Sequence, residues 1–221
     1  MGHWTTITAA DGFELDAYRD GPDDAEHCLV VGQEVFGVNG HMRYACAQLA
    51  KAGFAVVAPA LLDRAERGVD LGYSAEDLQH GIALRARVDA KDTVADIEAA
   101  RALFGARKVG IIGYCWGGRV AWWGATRSDR FAASVAWYGG GIAADKDEKP
   151  RIPVQMHFGA TDHSIPLTDV EAIRDAQPGV EIFVYEGVGH GFGCEERPMF
   201  DMEAYSLAQA RTVAFFRAHL A

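Results

Sequence analysis

Short apolar runs alternate with segments of helical periodicity along most of the chain, and this alternation restricts the fold class more than any other feature. Runs at 28–32, 54–58 and 109–112 have the length of buried strands, and amphipathic segments separate them. Strands that alternate with helices form a parallel sheet, because each helix returns the chain to the same end of the sheet. We therefore predict an α/β fold of three layers, in which a mostly parallel sheet is flanked by helices.

The segments before and after these runs extend the same pattern. Residues 4–8 and 13–18 alternate in polarity around Asp11-Gly12, which predicts an antiparallel hairpin at the sheet edge. Residues 59–90 are predicted to contain a loop and a short helix. Further strands are predicted at 132–137, 152–158 and 180–185, and helices from Asn39 to about 51 and over 92–104, 117–127, 168–176 and 202–220. No repeat or linker interrupts the pattern, so we predict one domain over residues 1–221.

The charge and the apolar runs exclude several classes of partner. Lys and Arg number 21 against 31 Asp and Glu, so the net charge is −10, whereas nucleic-acid binding requires a basic face. No run reaches the roughly 18 apolar residues of a membrane span, and no signal peptide is recognisable. Four scattered cysteines are too few for a disulfide framework. We expect a cytoplasmic protein that binds neither nucleic acid nor membrane.

A strand followed by Gly113-Tyr114-Cys115-Trp116-Gly117 and then a helix has the pattern of a nucleophile elbow, with cysteine in place of the more usual serine. In such an elbow the strand and helix backbones nearly touch, which requires glycine on both sides of the nucleophile. The positive end of the helix dipole points at the sulfur and favours the thiolate. The alternative is a structural cysteine beside glycines that serve packing.

An acid and a histidine follow the elbow in the order that this arrangement requires. Asp162 comes after the strand predicted at 152–158, and His190 follows the strand predicted at 180–185, with a glycine on each side. Each residue taken alone has a simpler interpretation, as a solvated turn aspartate or a surface-loop histidine. Together they predict a triad of Cys115, His190 and Asp162. The N–H of Trp116 and that of Val35, in the loop after strand 28–32, would form the oxyanion hole.

The loop Gln33-Glu34-Val35-Phe36-Gly37, the cysteine elbow, Asp162 and Gly189-His190-Gly191-Phe192 together resemble the dienelactone hydrolase (carboxymethylenebutenolidase) family over roughly residues 10–220. The resemblance implies an α/β-hydrolase fold without a large cap domain, with the same triad and the same two oxyanion donors. It also implies that Glu34 interacts with the resting thiol. A carboxylate there would disfavour the thiolate and protect it from oxidation, although Glu34 could instead form a loop salt bridge.

This sequence departs from the family pattern at two positions. Well-known relatives bind the carboxylate of the substrate with two arginines, and the corresponding residues here are Leu78 and Cys194. Arg85, Arg87 or Arg197 could substitute, and Tyr138, at a strand end, could line the pocket. Cys194 lies four residues after His190, but no other ligand has a matching spacing, so no metal and no cofactor are predicted.

These observations predict a cysteine-dependent hydrolase of small esters or lactones that acts through a thioester acyl-enzyme. The alternative is a weakly catalytic protein of the same fold that binds a small ligand or senses oxidants through Cys115. The predicted binding partner of such a hydrolase is a small-molecule ester or lactone substrate. The sequence leaves open whether the protein is a monomer or a small homo-oligomer.

Overall fold

The computed structural model describes residues 2–221, whose strands form one eight-stranded sheet. The strands in chain order are β1 (His3–Thr8), β2 (Glu14–Asp20), β3 (His27–Gly32), β4 (Phe54–Pro59), β5 (Val109–Tyr114), β6 (Ala133–Trp137), β7 (Val154–Gly159) and β8 (Glu181–Tyr185). The helices are α1 (Gly40–Lys51), α2 (Ala75–Arg85), α3 (Ala90–Ala102), α4 (Trp116–Arg127), α5 (Leu167–Ala176) and α6 (Met202–Leu220). Two short 3-10 helices lie at Leu61–Arg64 and Ile142–Asp145.

The strand order is β1-β2-β4-β3-β5-β6-β7-β8. The first two strands form the predicted antiparallel hairpin, and β2 pairs antiparallel with β4. The remaining pairs are parallel, as predicted. After β3 the chain forms β4 on one side and β5 on the other, so the carboxyl ends of β3 and β5 lie side by side. In open α/β sheets, ligands bind at such a switch point.

Helices cover both faces of the sheet. Successive residues of a strand point to opposite faces, so one buried strand contacts both helix layers. On β5, Gly110 faces Phe216 of α6, and a Cβ on that glycine would overlap the ring. The next residue, Ile111, contacts Gly124 of α4 on the other face. The predicted three-layer architecture is therefore confirmed, and the central strands β3, β5 and β6 are almost entirely buried between the two layers.

Local sequence signals account for most helix ends. Asn39 caps α1 as predicted, since its side chain accepts a hydrogen bond from the Met42 N–H at 3.2 Å. The region 59–90 contains the Leu61–Arg64 3-10 helix and α2, which begins with a capping box between Ser74 and Asp77. Strand β7 begins two residues later than predicted because Pro153 has no N–H for the ladder. Among residues 2–221, no helix is both long enough and apolar enough to cross a lipid bilayer.

Candidate active site

Cys115 occupies the sharp turn between β5 and α4. Its φ of 54° and ψ of −117° lie in a region that side-chain-bearing residues rarely adopt. Its N–H donates to the Trp137 carbonyl at 3.0 Å, and its carbonyl accepts from the Gly118 N–H at 3.0 Å. These bonds hold the strained turn in place and leave the side chain partly exposed. The thiol therefore projects from the carboxyl edge of the sheet, at the N-terminal end of a helix.

Three glycines allow the backbones around this turn to approach each other. A Cβ on Gly113 would overlap the Gly117 carbonyl, and a Cβ on Gly117 would overlap the Gly32 carbonyl. Gly113 and Gly117 are the two positions at which the elbow pattern requires glycine. The third, Gly32, ends the neighbouring strand β3 and lies opposite Gly113 in the sheet register. The close contact joins β3, β5 and α4 at one point.

Asp162 and His190 meet beside this turn, although 28 positions separate them in the sequence. Asp162 follows β7 and His190 follows β8, which is the adjacent parallel strand. The Asp162 Oδ2 lies 2.8 Å from the His190 Nδ1. The other carboxylate oxygen, Oδ1, accepts hydrogen bonds from the backbone N–H groups of Ser164 at 2.7 Å and Ile165 at 3.0 Å. The Asp162 side chain is fully buried, so both of its oxygens have a fixed direction.

The surroundings of His190 favour its protonated form. Burial of the ring opposes a charge, but the Cys115 thiolate and the Asp162 carboxylate outweigh it and raise the pKa of His190 to about 10. A protonated imidazole beside a cysteine can stabilise a thiolate and can donate a proton to a departing group.

A cavity of about 810 Å³ opens over these residues. Cys115 and His190 lie in its wall, and its remaining lining is mainly apolar. The apolar side chains that line it are Val35, Phe36, Leu78, Ile82, Val188, Pro198, Met199 and Phe200. The volume is within the range of small-molecule sites.

The predicted oxyanion donors are Val35, which lines the cavity together with Cys115, and Trp116, which directly follows Cys115 in the chain. Val35 is in the loop after β3, and Gly81 of α2 packs directly against its carbonyl. Trp116 is the first residue of α4, where a backbone N–H has no partner within the helix. Their proposed role in holding an oxyanion stays a prediction.

Glu34 is fully buried, and its Oε2 accepts a hydrogen bond from the Tyr73 hydroxyl at 3.0 Å. Burial and this carboxylate raise the pKa of Tyr73 well above its usual value. The other oxygen of Glu34, Oε1, has no hydrogen-bond partner among residues 2–221. Sequence reasoning missed Tyr73, because no spacing pattern links it to a residue 39 positions earlier. The predicted effect of Glu34 on the thiol stays a prediction.

The residues considered for substrate binding lie in different places. Leu78 and Arg197 line the cavity. Tyr138 is fully buried with its ring centroid 5.3 Å from that of His190, and its hydroxyl has no partner among residues 2–221. Arg85 lies outside the cavity wall; its pKa is lowered by burial and by the charge of Arg119.

Ile82 and Met199 extend the cavity wall and were not predicted, since an exposed apolar residue on a helix or loop gives no distinct sequence signal. Cys194 is fully buried. Its sulfur and donor atoms of Glu34 and His41 lie within 4.8 Å of one another. Within residues 2–221, this is the group of His, Cys, Asp and Glu side chains that could hold a metal ion.

The chain is similar to known proteins over nearly its whole length. It matches the model of the dienelactone hydrolase family over residues 15–220. A carboxymethylenebutenolidase from Pseudomonas putida is 30% identical over 224 residues, which cover 95% of this chain and 94% of the relative. A candidate carboxymethylenebutenolidase from Synechocystis sp. is 32% identical over 212 residues, covering 87% and 86% of the two chains.

Comparison with solved structures agrees with the observed architecture. The crystal structure of a candidate dienelactone hydrolase from Klebsiella pneumoniae superposes with a TM-score of 0.84 and 27% sequence identity, covering 98% of this chain and 99% of the other. The sheet order and the helices on both faces are those of the α/β-hydrolase fold, which confirms the predicted fold class. No large cap domain is present among residues 2–221.

Proposed function

Because the chain belongs to the dienelactone hydrolase family, we propose that it hydrolyses small carboxylic esters or lactones through a thioester on Cys115. One observation carries the proposal. The strained turn exposes the Cys115 thiol in the wall of the cavity, where His190 also lies and is held by Asp162 at 2.8 Å. This arrangement supplies a nucleophile, a proton carrier and a group that orients the carrier.

Acylation begins with attack of the Cys115 thiolate on the carbonyl carbon of the substrate. A carbon–sulfur bond forms, and the electron pair of the C=O double bond moves to oxygen. The backbone N–H groups of Val35 and Trp116 stabilise this oxyanion. The carbonyl then reforms as the bond to the alcohol oxygen breaks, and the departing oxygen takes the proton of His190. The products of this half-reaction are a free alcohol and a thioester.

Deacylation returns the site to its starting state. His190, now neutral, takes a proton from a water molecule as the water oxygen attacks the thioester carbonyl. The carbon–sulfur bond breaks, the carboxylic acid leaves, and the Cys115 thiolate again faces a protonated His190. Asp162 stays ionised throughout and keeps the imidazole in the orientation that serves both half-reactions.

The cavity favours substrates without a carboxylate next to the scissile bond. Leu78 lies in the cavity wall at a position where well-known relatives have an arginine, and a leucine cannot pair with an anion. Apart from His190, Arg197 is the cationic side chain of the cavity wall, and its guanidinium lies 5.4 Å from the Tyr73 ring centroid. We therefore propose neutral esters or lactones with an apolar portion as the preferred substrates.

The cellular location forms part of the same proposal. A nucleophilic thiol requires a reducing compartment, and Cys28, Cys46, Cys115 and Cys194 are all free cysteines. We therefore propose that the protein works in the cytoplasm, on small molecules and without a nucleic-acid partner.

The decisive experiment compares Cys115→Ala with Cys46→Ala on a panel of nitrophenyl esters and enol lactones. Cys46 is a buried free thiol on α1, so its variant controls for the loss of one sulfur atom. We expect Cys115→Ala to lose at least ~10³-fold in kcat and Cys46→Ala to retain activity. Mass spectrometry during turnover should find the acyl group on Cys115. Unchanged turnover in Cys115→Ala would exclude the nucleophile assignment, and a stable sulfenate without any turnover would favour the oxidant sensor.

A further inference from the structure

Three side chains from separate segments converge behind the catalytic turn. Glu34 lies in the loop after β3, His41 is the second residue of α1, and Cys194 lies in the loop between β8 and α6. All three are buried, with exposures of 0%, 1% and 0%. One donor atom from each, a carboxylate oxygen, an imidazole nitrogen and a sulfur, lies within 4.8 Å of the other two.

Two of these side chains leave a polar atom without a partner. The Glu34 Oε1 and the His41 Nε2 are both buried, and neither has a hydrogen-bond partner among residues 2–221. Buried polar atoms are nearly always paired in folded proteins, so each unpaired atom requires an explanation. Because the two atoms belong to side chains that form one cluster with Cys194, a single ligand bound between the three side chains could satisfy both.

The outer contacts of the cluster orient it for a cation. The His41 Nδ1 lies 2.6 Å from the Glu195 carboxylate, which leaves the buried Nε2 as the ring nitrogen available to a ligand. A carboxylate on the far nitrogen is the usual support of a metal-bound histidine. The other oxygen of Glu34 is held by the Tyr73 hydroxyl, which also accepts a hydrogen bond from Asn39 at 3.2 Å.

We propose that Glu34, His41 and Cys194 form a binding site for one zinc ion. Thiolate, imidazole and carboxylate are the three ligand types that zinc takes in proteins, with bonds of about 2.0–2.3 Å. Magnesium and calcium are excluded by the sulfur and nitrogen donors, since both prefer oxygen ligands. Tetrahedral bonds of that length place ligand atoms roughly 3.3–3.8 Å apart, so side chains whose donor atoms lie within 4.8 Å of one another need to close by at most about 1.5 Å.

Binding forms one Zn–S, one Zn–N and one Zn–O bond, with water as the fourth ligand. The Cys194 thiol and the His41 ring each release to solvent the proton carried on the ligand atom, because zinc binds a thiolate and a neutral imidazole nitrogen. The ion would join three segments that are distant in sequence. Two of them carry residues of the active site, since Glu34 directly precedes Val35 and Cys194 follows His190 by four residues. The three ligands are separate from the triad, but Glu34 is also the residue expected to interact with the Cys115 thiol, and zinc binding would replace that interaction.

Cobalt(II) titration of the metal-free protein tests the site, because a thiolate bound to cobalt gives a charge-transfer band that reports sulfur ligation directly. The wild type should bind one equivalent of Co²⁺ with this band, and zinc should displace it. Cys194→Ser should lose the band, and His41→Gln should weaken binding at least ~10-fold. Cys46→Ser, which removes a buried thiol outside the cluster, should behave as the wild type. Circular dichroism of each metal-free variant establishes that it is folded.

The active-site thiol provides the competing explanation, since the Cys115–His190 pair could also bind cobalt. Cys115→Ser should therefore keep the band with full intensity. Loss of the band in Cys115→Ser together with its persistence in Cys194→Ser would overturn the proposal. Binding of less than about 0.1 equivalent of Co²⁺ and of Zn²⁺ to the folded wild type would overturn it as well.

Discussion

Asp162 holds His190 with one carboxylate oxygen, while two backbone N–H groups fix its other oxygen. The carboxylate therefore has no freedom to rotate away from the imidazole, and its buried charge acts on His190 at short range. Together with the Cys115 thiolate it raises the pKa of His190 to about 10 against the opposing effect of burial. The orientation of the imidazole thus depends on a single side chain from the adjacent loop, whereas its charge depends on that side chain and on Cys115.

Asp162→Asn should lower kcat by on the order of 10²- to 10⁴-fold, because an amide neither fixes the tautomer nor stabilises the imidazolium. Its pH profile should also change. In the wild type, kcat/KM should fall as the pH rises through about 10, where His190 loses its proton. In Asp162→Asn this alkaline limb should move to lower pH. Asp175→Asn, an exposed aspartate on α5, is the matched control. An unshifted limb in Asp162→Asn would contradict the ion-pair model.

Gly117→Ala should destabilise the fold by about 1–3 kcal/mol, because the added methyl group would overlap the Gly32 carbonyl. Gly140→Ala is the control, since a Cβ there meets no atom within 4 Å and its free energy of unfolding should change by less than ~0.5 kcal/mol. Urea unfolding measures both variants. Equal stability of the two would mean that the close approach of β3 and α4 is not required.

Leu78→Arg should shift substrate preference towards esters that carry a carboxylate. The new guanidinium would project from the cavity wall, where a hydrogen bond to a carboxylate of ~1.5 kcal/mol raises kcat/KM by up to about tenfold. The comparison is with a neutral ester of the same shape. Leu167→Arg adds the same charge at an exposed leucine on α5 and should leave the preference unchanged. A similar gain in both variants would mean that the added positive charge, and not the position of the guanidinium in the cavity wall, causes the effect.

His157 should make the protein less stable as the pH falls below about 6.5. The ring is fully buried between Tyr185 and Gln155, and burial, followed by the charge of Arg211, lowers its pKa to about 3. The unfolded chain binds a proton near pH 6.5 and the folded chain does not until about pH 3. The free energy of unfolding therefore falls by up to ~1.4 kcal/mol per pH unit between these values.

The window from pH 6 to 5 isolates this effect best. The raised pKa of His190 keeps its ring protonated in the folded chain, and below pH 6 the unfolded chain, with an ordinary histidine pKa of ~6.5, is largely protonated there as well, so His190 adds little slope. Most carboxylates titrate lower. His157→Gln should have a shallower dependence of unfolding free energy on pH than the wild type. His163→Gln, at an exposed histidine, should keep the wild-type slope. If the unfolding free energies of the wild type and of His157→Gln change with pH by the same slope, His157 is not the origin of the pH dependence.

Periodicity and turn signals predicted the sheet, the hairpin and most helices because these depend on local patterns, such as the Asn39 cap or the glycines beside Cys115. The elbow pattern also led to Asp162 and His190, because each follows a strand at the same sheet edge. The Tyr73 bond to Glu34 and the grouping of Glu34, His41 and Cys194 were not predictable. Their members come from loops whose spacing follows no rule, and only the fold brings them together.

The backbone conformation at Cys115 marks the candidate site independently of sulfur chemistry. Among residues 2–221, Cys115 and Tyr138 are the non-glycine residues with positive φ, at 54° and 37°. Such conformations cost on the order of 1–3 kcal/mol each, so selection for stability alone would favour glycine at both positions. Both positions nevertheless carry a side chain, and both side chains lie next to His190. Backbone angles alone would thus direct an experimenter to this site, with no knowledge of relatives.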